Sequence, residues 1–170
     1  MKLFLIAISL CLFSGLDVFS QPSRLPAFLD YQVPVSKSRP NAPNLKSHNN
    51  ARLFRTSLRN ATKDGVNFAG HFALTYWGCG SSCGVGAIVN LKTGAVFFPD
   101  QLNGVWAQDW PESDSIPFGF RKNSRLLILH GYLPNDYHGD RLTYGFHYFE
   151  WNGTRLKRVK FVPKDWEESE

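Results

Sequence analysis

The sequence predicts an α+β fold dominated by β-structure, with about seven mostly antiparallel strands and one amphipathic helix ahead of them. Three observations carry this expectation. Aromatic residues are abundant, with 14 Phe, 6 Tyr and 5 Trp among 170 residues. Only one segment has a helical apolar period. Beyond Gly65 the chain breaks into short apolar runs separated by glycine-bearing turn signals. The length suits a single domain, and 43% hydrophobic against 19% charged residues supports a real core and excludes compositional disorder.

The helix is expected over about Ala51–Lys63, with Asn49 or Asn50 as N-cap and Gly65 as its stop. Leu53, Phe54, Ser57, Leu58 and Ala61 fall on one side, and Arg52, Arg55, Arg59 and Lys63 make a basic stripe on the other. Strands are then expected at Phe68–Trp77, Val85–Asn90 and Ala95–Phe98, the last two joined by Leu91-Lys92-Thr93-Gly94 with glycine at a left-handed turn position. A long loop, Pro99–Ser115, carries Trp106 and Trp110. Strands follow at Ile116–Phe120 and Arg125–His130, then a second loop, Gly131–Arg141. Leu142–Trp151 and Thr154–Val162 close the series around Asn152-Gly153, a strong hairpin signal. The two strand groups share an outline of strand, long loop, strand, glycine turn and strand, which suggests blade-like units. Two blades do not close a propeller, so a curled sheet or a sandwich is the simpler architecture.

The first twenty residues predict the compartment. Met1-Lys2 precedes an apolar run from Leu3 to Leu16, and small residues follow, the pattern of a secretory signal cleaved before Gln21. The run is shorter than the roughly 20 residues of a membrane span, so no stable span is expected after cleavage. Cleavage removes one of 19 basic and one of 14 acidic residues, leaving the net charge at +5. It also removes Cys11, leaving Cys79 and Cys83 as a pair in an oxidising compartment, periplasmic or secreted. Residues 21–50 hold five prolines and read as an extended arm; 51–163 form a single β-rich domain, and 164–170 an acidic tail.

Asn67-Phe68-Ala69-Gly70-His71 followed by Trp77-Gly78-Cys79-Gly80-Ser81-Ser82-Cys83 resembles the signature of a family of small exported bacterial proteins. In that pattern a basic helix precedes N-F-A-G-H, then W-G-C-G-x-x-C, an apolar strand and a K-T-G hairpin. The resemblance covers about Arg52 to Phe98, with a weaker echo in the C-terminal hairpin. It implies export and a shared fold and supplies no activity. The family often has Asp after the apolar strand, where this chain has Asn90.

No single motif identifies a reaction. Cys79 and Cys83 enclose a small ring flanked by Gly78 and Gly84, which reads as a structural disulfide at a β-turn, with a redox pair as the alternative. His71, His130, His138 and His147 match no metal-ligand spacing, so neither metal nor cofactor is expected. Gly80-Ser81-Ser82-Cys83-Gly84 spells G-x-S-x-G but leads into a strand, not the helix a nucleophile elbow needs. Asn67 and His71 either orient a ligand or lock the helix-to-strand corner. Trp106 and Trp110, with Tyr132, Tyr137, His138 and Arg141, either form a stacking platform or plug the open end of the sheet. The leading expectation is a non-catalytic binding module for an envelope glycan, an anionic polymer or a protein, using those loops with Arg52, Arg55 and Arg59. The alternative is an envelope hydrolase or redox enzyme using His71, with Asn67 or the cysteine pair. Nucleic acid is not an expected partner of an exported chain.

Overall fold

The computed structural model describes residues 24–81, 83–106, 118–134, 136–138 and 141–164. The expected signal segment, Trp110 and the end of the acidic tail lie outside them. The described residues contain one α-helix, α1 (Arg55–Asp64), and two four-stranded antiparallel sheets. The first sheet holds β1 (Phe72–Gly80), β2 (Cys83–Asn90), β3 (Val96–Phe97) and β4 (Asn103–Trp106), with β3 and β4 following each other along one edge of β2. The second holds β5 (Phe118–Phe120), β6 (Leu126–Gly131), β9 (Gly145–Trp151) and β10 (Leu156–Pro163), in the order β10-β9-β6-β5. A short hairpin, β7 (Tyr137–His138) with β8 (Arg141–Leu142), sits between β6 and β9.

The β1–β2 pair is the middle layer, which explains why Val85–Asn90 shows no polar alternation. Phe72 and Leu74 of β1 and Ile88 of β2 point into a core shared with the second sheet, among Phe118, Leu127, Leu129, Phe149 and Trp151. Their neighbours Ala73, Ala87 and Val89 point the other way, against Leu58 and Ala61 of α1. A strand pair buried on both faces must be apolar at every position. Alanines on the helix side let α1 approach closely, while aromatic residues fill the wider space between the sheets.

The helix is shorter than the sequence suggests. Asn49–Ala51 is a 3-10 turn, residues 52–54 are a further turn, and no side chain caps α1. Leu53 therefore leaves the helical register and is 72% exposed instead of buried. Arg52 likewise precedes the helix, so the basic stripe on α1 itself consists of Arg55, Arg59 and Lys63.

Both expected loops contain strands. Pro99–Ser115 includes a 3-10 turn, Asp100–Leu102, that buries Leu102, then β4. Gly131–Arg141 contains β7 and the start of β8. The first expected strand begins late: Phe68 pairs with Phe72 across a tight turn in which Ala69 and Gly70 have φ of 45° and 81°. The Asn152-Gly153 hairpin is where the sequence places it. Its loop spans residues 152–155, organised by Asn152 Oδ1 accepting from the backbone N–H groups of Thr154 and Arg155.

The proline-rich arm is strapped across the domain by backbone hydrogen bonds. Val33 N donates to Asn123 O, Ser36 N to Gly70 O, Asn41 N to Leu91 O and Asn44 N to Gly94 O. The strap explains the glycines beneath it. A Cβ on Gly70 would meet Pro34 O at 2.5 Å, and one on Gly94 would strike Ala42 O.

Candidate functional site

Cys79 and Cys83 form a disulfide, with Cα atoms 5.1 Å apart, at the tip of the β1–β2 hairpin. Here β1 outruns the core: Phe72, Ala73 and Leu74 are buried, whereas Gly78, Cys79 and Gly80 are exposed. The protruding tip has little packing to hold it. The staple constrains it covalently, worth about 2 kcal/mol for so small a ring.

Beside the tip lies a row of side chains that sequence reasoning scattered over two loops. Cys83 is registered opposite Trp106 on β4. Trp106 in turn pairs with Tyr132, just beyond β6, through Trp106 N to Tyr132 O at 2.9 Å and Tyr132 N to Trp106 O at 2.7 Å. This bridge joins the two sheets. Directly opposed residues of antiparallel strands project to the same face, so Cys83, Trp106 and Tyr132 share a side. The row continues onto the residue just before β9, where the rings of Tyr132 and Tyr144 lie 5.0 Å apart. His130 stacks on Phe146 in the adjacent rank, at 4.3 Å and an interplanar angle of 11°. Tyr144 is buried and Tyr132 half-buried, but Trp106 is 53% exposed. It is not a plug.

Of the other expected site residues, Tyr137, His138 and Arg141 fall on the backbone of the β7–β8 hairpin, in which Tyr137 pairs with Leu142 and His138 with Arg141. That hairpin begins a few residues after Tyr132. Arg52, Arg55 and Arg59 are exposed, but belong to the helix layer covering the first sheet rather than to the strand junction.

Asn67 is committed to the fold. Its Oδ1 accepts from Leu74 N at 2.7 Å and its Nδ2 donates to Leu74 O at 2.8 Å, so the side-chain amide stands in for a missing strand beside β1. Phe68 is fully buried, while Ala69 N and Gly70 N donate to Ser124 O and Lys122 O of the second sheet's turn. The N-F-A-G residues thus dock one sheet onto the other. Ala69 and His71 do not share a strand face, because both lie in the turn. His71 is half-buried, its ring 4.3 Å from that of Phe72, and opens onto a cleft. Burial, and secondarily the Lys92 ammonium, push its pKa below the usual histidine value.

A second polar constellation was not singled out in the sequence. His147 on β9 is fully buried, with Nε2 3.0 Å from Gly131 O. Since that carbonyl only accepts, Nε2 carries the proton. Nδ1 lies 3.3 Å from Asp136 Oδ2, off the line of a hydrogen bond, and both Asp136 oxygens are taken by Arg158 at 2.9 and 2.7 Å. Burial dominates and lowers the His147 pKa, with Arg158 adding to the effect. This is a locked ion pair beside a neutral imidazole, anchoring the loop after β6 to β10. The only available signal was the His/Asp/Arg content of those segments, which sequence spacing does not bring together. No group of three His, Cys, Asp or Glu residues among the described residues forms a metal-binding cluster. Comparison with protein-family models, curated proteins and solved structures finds no match for this chain.

Proposed function

We propose that the protein is an exported, non-catalytic binding module that takes an envelope glycan at its stapled end. The reading rests on one observation: Trp106 stays exposed although its backbone is fixed on both edges, by β2 and by Tyr132. A large aromatic residue held rigid yet open contributes little to folding. It offers a flat apolar face that requires no ordering on binding. The apolar face of a sugar ring stacks on such a surface, and the neighbouring Tyr132 position extends it. The secretory pattern of residues 1–20 and the disulfide support the extracytoplasmic setting.

The test is co-sedimentation of the purified protein with isolated cell-wall sacculi, together with tryptophan-fluorescence titration by soluble cell-wall oligosaccharides. The wild-type protein is expected to bind and Trp106→Ala with Trp110→Ala to lose at least about tenfold in affinity. Equal binding by both proteins overturns the assignment of this surface. Failure of the wild type to bind either preparation overturns the glycan reading.

A further inference from the structure

At the opposite end of β1 from the staple, a cleft of about 430 Å³ opens between the turn after β2 and the turn after β9. Val33 and Pro34 of the strap form one wall, and the polar lining consists of His71, Asn90, Lys92, Arg125, Trp151 and Asn152. Apart from His71, whose imidazole both donates and accepts, the hydrogen-bonding character of this lining is that of a donor. Asn90 Oδ1 already accepts from the backbone N–H groups of Lys92 and Thr93. Asn152 Oδ1 accepts from those of Thr154 and Arg155. Each asparagine is therefore left with its amide N–H groups to offer. Lys92 adds an ammonium. Arg125 adds the guanidinium N–H groups that remain beyond its 2.7 Å ion pair with Glu150. Trp151 lies at the base of the cleft and is fully buried.

We infer that this cleft is a binding site for a small organic anion, a carboxylate or a phosphate, held by Lys92, Arg125 and the side-chain N–H groups of Asn90 and Asn152. Two cations and two neutral amides match an oxyanion, whose several lone pairs accept charge-assisted hydrogen bonds. The site is built at the same corner that the strap holds down, so an anion there links the turn after β2 to the turn after β9. It is separate from the Trp106 surface and stands whether or not that surface takes a glycan.

The test is an NMR titration of the full chain at fixed ionic strength, in one arm with inorganic phosphate and in the other with succinate. The stronger arm identifies the anion class. The inference expects saturable movement of the side-chain amide resonances of Asn90 and Asn152. It also expects affinity to fall about tenfold in Lys92→Gln, as loss of one charge-assisted bond implies, and to stay unchanged in Arg59→Gln on the distant helix face. Two results overturn the site: no saturable shift with either anion, or equal weakening by Lys92→Gln and Arg59→Gln, which is the behaviour of diffuse charge attraction.

Discussion

The two ends of β1 are held in opposite ways. At its start, Asn67 to Phe72 are tied down by non-covalent contacts: an asparagine amide bonded to Leu74, Phe68 buried between the sheets, and a glycine turn under the strap. At its end, Gly78, Cys79 and Gly80 are exposed beyond the core, and a disulfide ties Cys79 to Cys83. At the start of β1, Asn67, Phe68 and the glycine turn are accounted for by folding. Where the chain leaves the core and is stapled instead, Trp106 has no folding duty that accounts for its exposure. The glycan surface is placed at the second end for that reason.

The contrast is broken most severely at Gly70. Gly70→Ala places a Cβ against Pro34 O on a backbone at φ 81° and is expected to cost roughly 2–4 kcal/mol. It should also release the strap, seen as faster proteolysis within residues 24–44. Stability and cleavage close to wild type would mean that the arm does not bear on the corner. Asn67→Ala leaves both backbone groups of Leu74 without partners and should lose about 2 kcal/mol in denaturant unfolding. Opening the staple by Cys79→Ser with Cys83→Ser should cost about 2 kcal/mol at most, since the ring is small and the tip exposed. A loss larger than that at Asn67 would reverse the proposed division of labour.

Acid supplies a smaller and graded effect. His147 and His71 both titrate below the usual histidine value of 6.5 in the folded protein, chiefly because burial disfavours the imidazolium. Below pH 6.5 the unfolded chain takes up protons that the folded chain refuses. Their contribution is therefore complete above pH 6.5 and declines as pH falls from 6.5 towards the folded pKa values. Each group adds at most about 1.4 kcal/mol per pH unit. Unfolding free energies between pH 7 and 5 should show this slope, and His147→Gln should flatten it; an unchanged slope in the variant would remove His147 as its source.

Much of the strand pattern was legible because apolar runs and glycine turns are local signals. Gly94 and Asn152-Gly153 mark hairpins whose positions the structure repeats. The helix start was misplaced because residues 49–54 carry a helical apolar spacing but fold as a 3-10 turn and a further turn, which rotates Leu53 into solvent. β4 was hidden because its four residues, Asn-Gly-Val-Trp, take their conformation from pairing with β2 and Tyr132, not from intrinsic preference. The site divides along the same line. Trp106 and Tyr132 were each legible as unusual loop aromatics, but their pairing was not, being a long-range backbone contact. The donor character of the cleft was likewise invisible, because the use of Asn90 and Asn152 oxygens in turns leaves no trace in composition.

The most direct measurement pairs unfolding free energy with sacculus binding for two single variants, Trp106→Ala and Asn67→Ala, under conditions where both remain folded. The account predicts a crossed result. Trp106→Ala should unfold within about 0.5 kcal/mol of wild type and lose binding, whereas Asn67→Ala should be clearly destabilised and bind normally. If Trp106→Ala instead loses stability while keeping its affinity, the exposed tryptophan belongs to the scaffold and the stapled end is not the working surface.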